Sequence, residues 1–122
     1  MVPGGRDWTL ADLWPAWNLP VVLVARAGLG TINHTLLTVE ALRRRGLTAI
    51  GIFLNQPDPG EPGRIERDNV RFLAEWTGIP VWGVLPYWPG MNIPRDGAVM
   101  REELRAHFAG VCAGIRRKFL EI

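Results

Sequence analysis

Residues 21–34 read Val-Val-Leu-Val-Ala-Arg-Ala-Gly-Leu-Gly-Thr-Ile-Asn-His: a β-branched apolar run, a loop with two glycines, then a segment able to open a helix. That order has chemical content. The N–H groups of a first helical turn lack acceptors and sit at the positive end of the helix dipole. Glycines let a ligand come close to the backbone, so the natural guest is an anion. Thr31 to Leu36 includes no Asp or Glu, which leaves the positive end uncompensated. The same glycines also suit a tight turn with no ligand, and the pattern alone leaves the two readings level. Arg26 follows the apolar run, at the strand end where open parallel sheets bind ligands. It is placed either to meet a phosphate or carboxylate or to stay solvated.

Two nucleotide-binding motifs fail on spacing. A phosphate-cradling Walker loop has four residues between its glycines and then Lys-Ser/Thr. The sole lysine here is Lys118, near the end of the chain. A dinucleotide fingerprint wants a third glycine where Asn33 stands, and an acid where the next strand ends in Asn55. His34 has no second His or acid at ligand spacing and is expected to pack or hydrogen-bond rather than catalyse. Cys112 falls in an apolar stripe and reads as core, while Glu102 and Glu103 read as a solvated face. The residues thus suggest no catalytic group and no metal site.

The elements that would position these residues follow from periodicity. Thr9 can cap a short helix over Leu10 to Trp14, disturbed by Pro15. Val21 to Ala25 is a continuous apolar run, as in a strand buried on both faces of a parallel sheet. A helix from Gly30 or Thr31 to about Arg45 carries Ile32, Leu36, Leu37, Val39 and Leu42 on one face. Arg43, Arg44 and Arg45 suit its negative end, and Gly46 ends it. Ala49 to Asn55 is a second strand, and residues 56–63 form a turn-rich Pro/Gly loop. A helix over Arg64 to Thr77 is expected to bury Ile65, Phe72, Leu73 and Trp76 and to stop at Gly78. Val81 to Leu85 is a third strand closed by Pro86, and 87–97 is again loop. A last helix is marked by Met100, Leu104, Phe108, Val111, Cys112, Ile115 and Phe119.

This alternation predicts an α/β fold, an open parallel sheet with flanking helices, in one domain over 1–122. Three strands make a thin sheet, and no β-α unit precedes the first. The chain therefore reads as part of a larger doubly wound domain, or as a subunit whose exposed sheet edge needs cover. Trp14, Trp17 and Trp82 are candidates for covering such surface. A net charge of +2 without a long basic run argues against a nucleic-acid partner. The longest apolar stretch, Leu19 to Ala25, is too short to span a membrane, and residues 1–7 lack the apolar core of a secretory signal. With a single cysteine, a cytoplasmic protein is expected.

Residues 19–38, Leu-Pro-Val-Val-Leu-Val-Ala-Arg-Ala-Gly-Leu-Gly-Thr-Ile-Asn-His-Thr-Leu-Leu-Thr, resemble the signature segment of the dethiobiotin synthases. The resemblance continues through Gly46-Leu47, Gly51, Asn55 and Gly83-Val84-Leu85-Pro86. It implies a P-loop-NTPase-like fold and a homodimer. It also implies an ATP- and Mg2+-dependent closure of the dethiobiotin ring from 7,8-diaminopelargonate and carbon dioxide. By the same resemblance Gly30, Thr31, Ile32 and Asn33 receive the substrate carboxylate from the neighbouring subunit. Asn55, with Gln56, reads the adenine edge, and Pro86, Tyr87 and Trp88 line the adenine pocket.

The family's P-loop, its lysines and its magnesium-binding acids have no counterpart here. The resemblance therefore covers a C-terminal portion, and the chain alone is expected not to catalyse. A mis-assigned start, a gene remnant and the second piece of a split enzyme all fit, the last pairing with a P-loop-bearing chain. The competing reading is a non-catalytic binding or regulatory module derived from the same fold. Amidoligases that build cobalamin precursors are a more distant alternative.

Overall fold

The computed structural model describes residues 2–87 and Ala109. The chain forms two compact units, Met1–Tyr87 and Trp88–Ile122. Trp88, the loop that follows it, and the last helix with Cys112, Glu102 and Glu103 lie outside the described residues.

The first unit contains α1 (Leu10–Trp17), β1 (Val21–Arg26), α2 (Thr31–Arg43), β2 (Ala49–Asn55), α3 (Arg64–Thr77) and β3 (Val81–Leu85). The strands form a parallel sheet in the order β1-β2-β3, so α2 and α3 each connect sheet neighbours. The predicted open parallel α/β architecture is the one observed. Gly78 at φ 67° ends α3 in the left-handed region, which costs a residue without a Cβ little.

The core lies between the sheet and the helices α2 and α3. Leu42, Ile52, Leu54 and Leu73 are its largest fully buried side chains. Each contributes about 1.5–3 kcal/mol by leaving water. Val21, Leu23 and Ala25 of β1 pack onto the same cluster.

Four expectations need correction. Pro15 does not end α1, which continues to Trp17 before Asn18 turns left-handed at φ 48°. β1 is not buried on both faces: it is an edge strand among the described residues, and Val22 and Val24 remain 42% and 65% exposed. The buried face of α2 is Thr31, Thr35, Val39 and Leu42, whereas Leu37 is exposed. That of α3 is Asn69, Leu73 and Thr77, whereas Ile65 and Trp76 are exposed and Trp76 stacks on Phe72 with ring centroids 4.9 Å apart.

Polar residues can occupy those faces because several have backbone partners. The Thr77 hydroxyl donates to the Leu73 carbonyl at 2.6 Å and accepts from the Ile79 N–H at 3.0 Å. The arginines at the end of α2 serve more than their own helix. Arg43 donates to the Thr77 carbonyl, capping the negative end of α3. Arg45 reaches Asp12 of α1 at 3.6 Å. Trp82 covers its own sheet, lying over Gly51 and edge-on to Phe53 at 5.2 Å.

Candidate functional site

The carboxyl ends of β1 and β2 gather most of the residues singled out by sequence. β1 leads through Ala27, Gly28 and Leu29 to Gly30, the N-cap of α2, which adopts φ 88°. A side chain there would be strained, so glycine is required by the turn itself. Thr31 N–H folds back to the Gly28 carbonyl at 3.3 Å, and His34 N–H bonds the Gly30 carbonyl at 3.2 Å. The N–H groups of Ile32 and Asn33 make no hydrogen bond among the described residues. Of the four residues expected to receive an anion, these two are the helical positions with open donors, and the Gly30 N–H likewise makes no hydrogen bond among the described residues. No acid stands in the first turn of α2 to compete for them.

A cleft of about 390 Å³ runs along this end of α2, lined by residues that include Leu23, Arg26, Thr31, His34, Thr35 and Thr38. Thr31 and Thr35 are 4% and 3% exposed, and neither hydroxyl has a partner. Buried hydroxyls without partners are costly, and sites that await a polar guest commonly hold them. His34 lines the cleft with its side chain exposed rather than packed in the core.

Asn55 ends β2 beside Arg26 in the sheet register. Its carbonyl accepts the Ala27 N–H at 2.9 Å, so the glycine loop and Asn55 are joined through the backbone. Gln56 N–H donates to the Leu85 carbonyl at 2.9 Å, which brings Gln56 next to the segment containing Pro86 and Tyr87. The Gln56 side-chain oxygen is buried without a partner. Asn55, Pro86 and Tyr87 are exposed.

Sequence reasoning missed two residues here. Asn69 of α3 is buried, and its side-chain amide donates to the Ala27 carbonyl at 3.2 Å. Its spacing of four before Leu73 and eight before Thr77 was the available signal. Asp58 in the Pro/Gly loop lies 3.7 Å from Arg26, and nothing in the sequence pairs the two. Among the described residues no group of three or more His, Cys, Asp or Glu stands together to hold a metal ion. A magnesium ion wants a near-octahedral oxygen shell; the described residues do not build one, and no step is assigned to it. No described helix is long and apolar enough to cross a membrane.

Residues 1–95 match a family model described as an AAA domain. Several curated relatives carry the name ATP-dependent dethiobiotin synthetase BioD. The protein of Anaeromyxobacter sp. (strain K) is 61% identical over 89 residues, which are 73% of this chain and 40% of the relative. That of Haloferax mediterranei is 52% identical over 85 residues, 70% of this chain and 36% of the relative. That of Clostridium acetobutylicum is 46% identical over 82 residues, 67% of this chain and 33% of the relative. Among these three, the matched region spans between 33% and 40% of the relative's own length.

Proposed function

Because the chain belongs to the AAA-domain family, with its P-loop-NTPase-like fold, and to the dethiobiotin synthases within it, we propose that it supplies the carboxylate-binding and adenine-reading part of a dethiobiotin synthase. The ligands are 7,8-diaminopelargonate and ATP. The observation that carries this reading is the pair of open N–H donors of Ile32 and Asn33 beside a cleft. A carboxylate in that position gains charge-assisted hydrogen bonds and the favourable end of the α2 dipole. Gly30 and Thr31 shape the turn that presents those donors.

Asn55 and Gln56 offer amides, each both donor and acceptor, which suits the paired donor and acceptor of an adenine edge. The unpartnered Gln56 oxygen supports that assignment. Pro86 and Tyr87 complete the adenine pocket in this reading, and the site forms across a homodimer in a cytoplasmic enzyme of biotin synthesis. ATP held there would supply the phosphoryl group for ring closure, and any Mg2+ would be held by groups outside residues 2–87.

Phosphoryl transfer rests on positioning and charge neutralisation. The chain's only lysine is Lys118, and its described residues contain no metal-holding group. The phosphate grip therefore comes from groups outside residues 2–87, and this unit by itself binds without turning over. Titration calorimetry of the chain with 7,8-diaminopelargonate and with ATP, alone and with a P-loop-bearing partner, tests the proposal. Binding is expected, with turnover only in the presence of the partner. Absence of heat in every combination would sink it. Binding of small carboxylates without any nucleotide would instead favour the non-catalytic module.

A further inference from the structure

Arg26 is the one permanently charged side chain among the described residues lining the cleft. It is the last residue of β1, and its Nε lies 3.6 Å from where a Cβ on Gly28 would stand. The guanidinium is thus beside the loop that presents Ile32 and Asn33. Its neighbour is Asp58, with Nη2 to Oδ2 at 3.7 Å and side-chain exposures of 68% and 75%. That distance is an ion pair, not a hydrogen bond, and the Arg26 side chain makes no hydrogen bond among the described residues. All five guanidinium donors therefore remain open, and an exposed pair of this kind contributes little.

We propose that Arg26 is a specificity-determining residue that exchanges Asp58 for the carboxylate of the incoming ligand. The inference rests on reading the start of α2 as a carboxylate site, and it adds the reason for which a full negative charge is selected. Backbone N–H donors alone accept any carbonyl oxygen, including that of an ester or amide. A guanidinium meets a carboxylate through two parallel hydrogen bonds and gains far less from a neutral acceptor. Asp58 acts as a resident competitor. Three prolines, Pro57, Pro59 and Pro62, stiffen its loop and hold the carboxylate close to Arg26 without closing a hydrogen bond. The pair keeps the cation oriented at the mouth of the cleft while leaving it easy to displace.

The exchange predicts opposite effects at the two partners. Calorimetric titration of the full chain with 7,8-diaminopelargonate and with its methyl ester reads them out, with circular dichroism as the folding control. The wild-type chain is expected to prefer the acid by about tenfold. Arg26→Gln reduces that preference to about twofold and leaves ester affinity unchanged, and Arg26→Lys restores part of it. Asp58→Asn strengthens acid binding by about two- to fivefold, because the competitor is gone. If Arg26→Gln keeps the wild-type preference, or if Asp58→Asn weakens the acid as Arg26→Gln does, the exchange is wrong while the carboxylate site stands. If the wild-type chain binds acid and ester equally, the exchange is wrong; if it binds neither, the carboxylate site itself is wrong and the exchange falls with it.

Discussion

The side-chain amide of Asn69 donates to the Ala27 carbonyl at 3.2 Å, while the Ala27 N–H donates to the Asn55 carbonyl at 2.9 Å. One residue of the glycine loop is thus held by α3 on one side and by β2 on the other. Ala27 itself is fully buried, so neither backbone group has bulk water to fall back on.

Asn69→Leu removes the partner of a buried carbonyl. The cost is about 1–3 kcal/mol, read as a lower urea midpoint at unchanged slope. Carboxylate binding is expected to weaken as well, since the loop before α2 loses its tie. An unchanged midpoint would mean that the Ala27 carbonyl needs no protein partner.

Asn33→Pro deletes one open donor without touching the buried face of α2. Proline is tolerated within the first turn, where the N–H has no helical acceptor. Affinity for 7,8-diaminopelargonate should fall about tenfold, the loss of roughly 1.4 kcal/mol of hydrogen bonding. Circular dichroism should be unchanged. Full affinity in this variant would remove Asn33 from the site.

How much of this was legible in sequence differs by element. The bounds of α3 and β3 stand where Gly63, Gly78, Pro80 and Pro86 punctuate the chain, because those residues mark turns and helix ends whatever surrounds them. The choice of buried face was not legible. Ile65 and Trp76 repeat at helical spacing yet face outward, while Asn69 and Thr77 lie inside because backbone groups satisfy them. Periodicity reports that a stripe exists; the position of carbonyls such as that of Ala27 decides which stripe is covered. The glycine loop could be read because φ 88° at Gly30 is a local demand, whereas the Arg26–Asp58 approach depends on how two separate loops meet.

The pH dependence of stability should include a contribution from Asp12. The Thr9 N–H and hydroxyl both donate to its carboxylate at 2.8 Å, and these bonds, with Arg45 nearby, hold its pKa below the ordinary 3.8. A carboxylate whose pKa is depressed on folding adds stability above its unfolded pKa and loses it as pH falls through the folded one. Urea midpoints of wild-type and Asp12→Ala chains should differ by a constant amount near neutrality. The gap should begin to close near the unfolded value of 3.8 and vanish at lower pH. A gap independent of pH down to full protonation would contradict this.

Gly51→Ala tests the packing of Trp82. A Cβ at Gly51 would collide with the indole ring, whose six-membered part lies directly over the backbone. The substitution should cost about 1–3 kcal/mol in overpacking. The same change in a Trp82→Ala background should cost much less, which thermal unfolding of the two single variants and the double variant would reveal. Equal costs in both backgrounds would mean that the ring moves aside freely.

The strands are ordered β1-β2-β3 in space as they are in the chain. No described strand must wait for a later one to be inserted between it and its neighbour. During synthesis each strand–helix segment can therefore add to a sheet edge already exposed, with only one short loop closure at a time. The α2 start and Asn55, tied together at Ala27, can form as soon as β2 has emerged, before β3 is made.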